Sequence, residues 1–252
     1  MKDFSFQGRI ELGERLANGR PGKLVWVGDQ SSCELTFNTQ TEDRTETHSG
    51  QRLQSAQLRT GTTVGIELVL RHGTAHNLQL GLYATPQNVA SGSVSAELLP
   101  PDLVAGSRVV LAKPANVRSL VLTDSDSPAN TLVAGTDYVL ESEHSGIIRL
   151  LDVADLEQPL KAAYQHDAFT SLPFFTAAPP ERYLYLNGIN TVDGSRVRMH
   201  LYRVQFNPLN QLGLINESFG ELPLSGSVLY DVDAAQDPQL GGFGRLELPT
   251  EA

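Results

Sequence analysis

The stretch Arg182–Asp231 reads RYLYLNGINTVDGSRVRMHLYRVQFNPLNQLGLINESFGELPLSGSVLYD, and its pattern predicts three consecutive β-strands. The predicted strands are Tyr183–Asn187, Arg196–Phe206 and Glu221–Tyr230. Asp193-Gly194 lies between the first two strands and is a hairpin signal, because these residue types tolerate the positive φ of a tight turn. Pro208 ends the second strand, since proline has no N–H to donate to a sheet. The stretch therefore predicts a β-hairpin followed by a third strand.

The chain before this stretch carries further strand patterns. Apolar and polar residues alternate from Phe4 to Leu12, which indicates a half-buried strand. Leu24–Val27 is short and apolar, and Ser32–Asn38 predicts another strand. The residues expected to face inward in that strand are Cys33, Leu35 and Phe37.

Gln57–Arg71 shows the longest alternation in the chain. Fully extended, it would span about 50 Å at roughly 3.3 Å per residue, so it is either bent near Gly61 and Gly65 or part of a long wall. Thr74–Tyr83 predicts the helix of the protein, because Thr74 can cap its first turn. Leu78 and Leu82 would then share one face of that helix.

Between the predicted strands, Thr39–Gln54 contains almost no apolar residue and no helical or strand period. These features predict a solvated surface loop. A loop of this length inside a compact domain is uncommon and is often functional.

The middle of the chain predicts a separate small β domain. Ala84–Ser93 is interpreted as a polar linker, and several short strands follow it. Those strands are Val109–Leu111, Leu120–Thr123, Tyr138–Leu140, Ile147–Leu151 and Leu160–Tyr164. Residues 94–169 are therefore expected to be inserted into a core domain formed by residues 1–93 and 170–252. The predicted fold is mainly β, a β-sandwich or partial barrel with one flanking α-helix.

The composition and charge of the chain limit the classes of function that fit it. The 252 residues carry a net charge of −10, which disfavours a protein that grips phosphate backbones. One cysteine, Cys33, excludes an internal disulfide. The N-terminus does not resemble a signal peptide, and no run reaches the length of a membrane span, so synthesis in a cytoplasm and no membrane contact are expected.

Residue patterns give no support for an enzyme, a metal site or a cofactor site. His72 and His76 have helical metal-site spacing, but the helix begins between them. Asp124-Ser125-Asp126 begins like a calcium loop, yet Pro128 occupies the next ligand position, and a surface turn is the better interpretation. No Gly-x-Ser-x-Gly elbow is present.

Residues 184–209 have the form LxLNGxNxxDGxxVxxxLYRVxFxPL, which resembles the C-terminal core of bacteriophage tail tube proteins, the major tail proteins of long-tailed phages. The order of the other elements resembles that family too: a long strand, a short turn and a helix containing NLQLGLY. The piece GTDYVLESEHSGIIRLL is similar to a β module common in phage virion proteins.

The resemblance implies a structural virion protein. Six subunits would form a ring whose joined sheets close a barrel, and rings would stack around a tape measure protein into a tube through which DNA later passes without specific binding. The tail tip or distal tail protein and the tail terminator would be further partners. The resemblance also favours an assembly arm that reaches a neighbouring subunit, carried by Thr41, Glu42, Asp43, Arg44, Glu46, His48, Gln51 and Arg52. The candidates for the inner wall are Arg59, Gly61, Thr63, Gly65 and Glu67.

An acidic chain suits a lumen that repels DNA phosphates, so a net negative lumen is expected. Arg196 and Arg198 count against that expectation. Two alternatives remain open. One is a monomeric β-sandwich binding module, for example a carbohydrate-binding one, which would cluster exposed aromatic residues on one face. The other is a tail completion or distal tail protein that forms a single ring and would differ in copy number.

Overall fold

The computed structural model describes residues 3–17 and 19–248. The fold is mainly β, with 47% of residues in strands and 4% in helix, arranged in several antiparallel sheets of which none closes into a barrel. The predicted fold class is thereby confirmed. The outer ends of the predicted core domain, residues 1, 2 and 249–252, lie outside the described residues, as does Asn18 of a predicted turn.

The chain divides into two compact units. Unit 1 combines the segment up to Pro86 with the segment from Leu172, and unit 2 is Gln87–Ser171. The strands of the first segment are β1 (Phe6–Gly13), β2 (Val25–Trp26), β3 (Gln30–Thr45) and β4 (Gln54–Leu70), followed by helix α1 (Ala75–Leu82). Unit 2 contains β5 (Gln87–Val89), β6 (Gly92–Leu98), β7 (Arg108–Val110), β8 (Arg118–Thr123), β9 (Tyr138–Ser142), β10 (Ile147–Leu150), β11 (Lys161–His166) and β12 (Phe169–Ser171). Unit 1 resumes with β13 (Glu181–Asn190), β14 (Arg196–Phe206), β15 (Leu222–Val228) and β16 (Gly244–Glu247).

Unit 1 is built on one large antiparallel sheet. Its strand order is β2-β1-β13-β14-β15-β4-β3, and β16 pairs with the first half of β14. The register places apolar residues opposite one another, for example Ile10 with Leu186 and Leu224 with Leu68. Because side chains alternate across a strand, this register collects the apolar residues of all these strands on one face. That face forms the core of unit 1.

β3 at one end of the sheet and β1 next to the other end approach each other without pairing. The Gln30 side-chain amide of β3 donates to the Gly8 carbonyl of β1 at 2.6 Å. A cavity of about 650 Å³ lies along this seam between β1 and β3. The sheet is thus curled around the core, and the seam leaves it open on one side.

Helix α1 begins and ends as the sequence predicts. The Thr74 hydroxyl accepts a hydrogen bond from the Asn77 N–H, and Tyr83 ends the helix in the left-handed region at φ 50°. The Asn77 side chain, which is fully buried, donates to the Val27 carbonyl at 2.8 Å. Leu80, also fully buried, packs into the core. The helix is therefore fastened to the sheet by both a polar and an apolar contact.

The predicted loop Thr39–Gln54 is too long. β3 continues to Thr45 and β4 begins at Gln54, so residues 39–45 pair with residues 54–62 and only residues 46–53 form the turn. Both faces of this hairpin lie in water, so its residues show no apolar alternation that could reveal a strand. Of the two shapes considered for the long strand, β4 remains one element, with a register shift beside Gly61.

Two other expectations in unit 1 and its border need correction. Phe37 is not buried in the core. Its side chain is 71% exposed, because it lies at the margin of the apolar core of unit 1. The segment Ala84–Ser93 is not wholly a linker, since β5 lies within it and β6 begins at Gly92. Short polar strands of this kind carry too few residues for a period to be recognised.

Unit 2 consists of three small sheets, β7-β10-β9, β6-β11-β8 and β12-β5, around its own apolar core. The predicted strands of this region are all present. The predicted surface turn at Asp124 is wrong for that side chain, which is fully buried. Its carboxylate accepts hydrogen bonds from the Asn130 N–H at 2.6 Å and the Asn130 amide at 2.7 Å. Those bonds replace the water that the carboxylate loses.

Within residues 3–17 and 19–248, no helix has the length and apolar character needed to cross a membrane.

Candidate assembly surface

The residues predicted to form an assembly arm lie on one projecting hairpin. We call Gln40–Gly61 the arm. The structure places Thr41, Glu42, Asp43 and Arg44 in β3, and Glu46, His48, Gln51 and Arg52 in the tip between β3 and β4. Seven of these eight side chains are exposed, and Glu46 is half-buried. The arm therefore presents its polar side chains to solvent without contributing to the core.

The tip of the arm is held by one carboxylate. Glu46 accepts hydrogen bonds from the N–H groups of His48 and Ser49, both at 2.9 Å, and from the Ser49 hydroxyl. The Leu53 N–H adds a longer contact at 3.3 Å. These bonds, chiefly that from the Ser49 hydroxyl, lower the pKa of Glu46 to about 2. The tip is thus an ordered turn that stays formed at neutral pH.

Side-chain hydrogen bonds join the two strands of the arm to each other. The Asp43 carboxylate accepts hydrogen bonds from the side-chain amides of Gln54 at 2.7 Å and Gln57 at 3.0 Å. The Ser55 hydroxyl donates to the Arg44 carbonyl at 3.0 Å. Such local polar contacts order a hairpin but leave it marginal on its own.

The predicted inner-wall residues all lie on β4, but the structure separates them into two groups. Arg59 and Gly61 belong to the arm. Thr63, Gly65 and Glu67 lie on the outward face of the sheet, opposite its core face, where they meet small polar residues of β3 and β15. We call this surface the polar face; it comprises Glu34, Thr36, Asn38, Thr63, Gly65, Glu67, Ser225 and Ser227.

The charges on the polar face are carboxylates. Glu34 and Glu67 are directly opposite each other across β3 and β4, and both are exposed. Neither forms an ion pair with another part of the described chain. Like charges in direct cross-strand register are destabilising, so this pair is not explained by the stability of the sheet.

Strand β3 is the outermost strand of the large sheet. Within the described residues it pairs with β4 and with no other strand, so one side of its backbone is unpaired along Gln30–Thr45. An unpaired edge of this length is a template for strand addition by another chain. The arm continues this edge beyond the core.

Sequence reasoning missed the loop between β14 and β15. Three of its apolar side chains are almost wholly exposed: Leu214 at 85%, Ile215 at 97% and Phe219 at 99%. The stem of the loop is fixed, since the Leu209 N–H donates to the Gly81 carbonyl at 2.8 Å. Leu and Phe in a loop sequence give no sign of exposure, so only the fold identifies this surface.

Sequence reasoning also missed an apolar recess on the core side of the sheet. It has a volume of about 130 Å³ and borders the seam cavity, with which it shares the lining residues Leu35, Met199 and Leu246. Its apolar lining is Leu35, Phe37, Val64, Met199, Leu201, Phe243 and Leu246. Phe37 and Leu246 form its exposed rim, at 71% and 50% exposure.

The residue types of a metal site do not cluster within residues 3–17 and 19–248. No group of three or more His, Cys, Asp or Glu side chains could hold a metal ion there. Burial, with a smaller contribution from the charge of Glu34, raises the pKa of the Cys33 thiol to about 11. That thiol is protonated at neutral pH and is a poor nucleophile.

The surface aromatic residues bear on the binding-module alternative. The Arg9 guanidinium lies 4.8 Å from the centroid of the Trp26 ring, so this face of the ring is covered. Phe4 and Phe6 stack on each other with centroids 5.1 Å apart. A sugar would have to displace the Arg9 guanidinium in order to stack on that face of Trp26.

The comparisons with known proteins give a family but no activity. No curated protein matches the chain. A family model described as "Protein of unknown function UCP028589" matches residues 3–247, and the chain therefore belongs to this family.

Proposed function

We propose that this protein is the tail tube protein of a long-tailed phage, assembling as stacked hexameric rings around a tape measure protein. The observation that carries the proposal is the combination of an unpaired β3 edge with the exposed arm that extends it. The tail tip or distal tail protein and the tail terminator would contact the two ends of the tube. The protein would then be located in the virion after synthesis in the host cytoplasm.

The free edge of β3 supports lateral assembly. Each unpaired N–H and C=O group that becomes buried without a partner costs free energy, so exposed edges are normally protected or paired. A strand from a neighbouring copy could pair along Gln30–Thr45 and satisfy these groups. A head-to-tail contact of this kind generates a closed ring when its rotation closes.

The arm supports contact beyond one ring. None of its described residues belongs to the apolar core, and the Glu46 carboxylate and the Ser49 hydroxyl order its tip. A hairpin that does not contribute to the stability of its own subunit is well suited to contact another. Arm residues Thr41 to Arg52 are therefore the proposed subunit contacts.

The polar face supports a wall that DNA can pass. Its side chains are short and uncharged except for Glu34 and Glu67, whose carboxylates repel phosphate. The unfavourable register of these two carboxylates is expected of a surface that serves a purpose other than stability. We propose that this face lines the lumen and that the lumen is net negative.

Negative-stain microscopy of the purified protein at several concentrations tests the proposal. Tubes or stacked rings with a central hole are expected. Single rings that never stack would instead favour the tail completion or distal tail alternative. Compact monomers at every concentration, together with binding to glycans, would overturn the proposal in favour of a binding module.

A further inference from the structure

We propose that the exposed apolar loop between β14 and β15 of one copy seats in the apolar recess of the next copy, forming the axial contact between stacked subunits. The donor side chains are Leu214, Ile215 and Phe219, and the acceptor rim is Phe37 and Leu246. This inference rests on the proposed function, since it names the partner surfaces by which copies would stack.

The donor loop combines a packed stem with exposed apolar side chains. Its stem is packed, because Leu209 and Leu212 contact the core and Leu209 is hydrogen-bonded to Gly81. The Asn216 side chain donates to the Gly213 carbonyl at 3.3 Å within the exposed part. Ile215 and Phe219 nevertheless remain 97% and 99% exposed. Exposed apolar clusters of this kind mark interaction sites.

The recess fits an apolar side chain. Its volume is about 130 Å³, and an apolar cavity of about 150 Å³ accepts a benzene ring. The side chains around it are leucine, valine, methionine and phenylalanine, with Arg245 as the charged member of the lining. Arg245 is already paired with Glu247 at 2.9 Å, so its charge is compensated.

Loop and recess lie at different positions along the strands of the large sheet. The loop joins Phe206 to Leu222, and Leu222 pairs with Leu70 at the end of β4. The recess is lined by Val64, six residues earlier on β4, and by Met199, which lies near the start of β14. At roughly 3.3 Å per residue, Val64 and Leu70 are separated by about 20 Å. A loop and a recess that are displaced along the strands can match head to tail between copies, and such a contact repeats without limit when its rotation does not close.

The contact area between loop and recess favours a second copy within a repeating array as the occupant of the recess. Three large side chains bury on the order of 500 Å² together, whereas a standard interface buries about 800 Å² per partner. One loop in one recess is therefore too small for a stable pair of single subunits. Several such contacts made at once between two rings would add, as in any multivalent contact.

Complementation between two variants tests the inference. The donor variant carries Ile215→Ser and Phe219→Ser, and the acceptor variant carries Phe37→Ser and Leu246→Ser. All four side chains are at least half exposed, so folding should be retained, as circular dichroism would verify. Each variant alone should lose stacking, with a critical concentration for assembly raised at least about tenfold. An equal mixture of the two should regain pairs of layers, because each pair needs only one intact loop and one intact recess.

A disulfide experiment covers the case in which a variant fails to fold. Ile215→Cys and Phe37→Cys are made separately in a Cys33→Ala background, with tags of different length, and are mixed under mild oxidation. A mixed dimer is expected in several-fold excess over the control mixture, Ile215→Cys with Val104→Cys. Val104 is 64% exposed and lies in unit 2, outside the recess.

The outcomes separate the inference from the proposed function. If tubes form but the mixed disulfide does not exceed its control, the loop does not seat in the recess and the tail tube proposal stands. If the disulfide forms but rings and tubes do not, the contact is real and the tube proposal fails. Unchanged stacking by the donor variant would overturn the inference directly.

Discussion

Replacing the arm, Gln40–Gly61, by Asn-Gly is expected to abolish assembly while leaving the subunit folded. Thr39 and Thr62 are direct cross-strand partners, so a two-residue turn can join them without changing the register of the sheet. Within the removed segment no side chain is buried; Glu46 and Gly61 are half-buried and the rest are exposed. The replacement therefore removes no part of the apolar core.

The expected loss of stability is small because the removed side chains are exposed. Changes confined to exposed positions usually alter the free energy of unfolding by no more than about 0.5 kcal/mol, and we allow about 1 kcal/mol for the whole arm. For a chain of this size that corresponds to a shift in Tm of about 2–4 °C. Assembly, by contrast, would lose all eight proposed contact residues at once, so no stacked rings should remain.

Thermal melts by circular dichroism and negative-stain microscopy of the same preparation measure both effects. The substitution Val133→Ser, at a 57% exposed position of unit 2, serves as a control that should leave Tm and assembly unchanged. Persistence of normal tubes without the arm would refute its assembly role. A fall in Tm of more than about 10 °C would refute the view that the arm is independent of the core.

Three further predictions concern stability. Leu68→Ala should lower the free energy of unfolding, measured in urea melts, by about 2–5 kcal/mol, because Leu68 is fully buried in the core of unit 1. A loss below about 1 kcal/mol would contradict that packing. The pKa of Glu46 is lowered to about 2 in the folded protein, against about 4.3 in the unfolded chain. The stabilisation of the tip by Glu46 is therefore fully present above pH 4.3 and is lost as the pH falls through the folded pKa of about 2. An NMR titration midpoint near 4.3 would contradict the hydrogen bonds to Glu46. Asp231→Asn should lower the free energy of unfolding by about 1–3 kcal/mol, because the buried Asp231 carboxylate accepts hydrogen bonds from Arg15 at 2.6 and 2.9 Å. The control Asp233→Asn changes a 63% exposed partner of the same guanidinium and should cost less than about 1 kcal/mol. Equal losses in thermal melts would count against the burial argument.

The alternation of apolar and polar residues was sufficient to predict most of the strands. Gln57–Arg71 places apolar side chains at every second position over the part that meets the core, and Arg196–Phe206 does so on each side of a register shift; both are strands in the structure. Thr74 was sufficient to predict the start of α1, because a cap acts within one turn of the chain. Signals of this kind are local, so no knowledge of the fold is needed to interpret them.

The assembly surface was only partly accessible to the same reasoning. The arm residues were identified as an exposed polar segment, but their strand structure was missed, since a hairpin with water on both faces needs no apolar alternation. The contacts that order it are Asp43 with Gln54 and Gln57, which are side-chain hydrogen bonds between distant positions. Asp124 was missed for a related reason: its burial depends on Asn130 and on the packing of unit 2.

The sequence by itself determined that the protein is mainly β with one helix, because strand period and helix capping are properties of neighbouring residues. Only the tertiary structure decided which apolar residues are covered. Leu224 and Leu214 are the same residue type ten positions apart, yet one is 2% exposed and the other 85%. Leu224 lies opposite Leu68 in the sheet, whereas Leu214 lies in a loop that the described part of its own subunit leaves uncovered. Exposure depends on what the rest of the chain places nearby, and that is set by the whole fold.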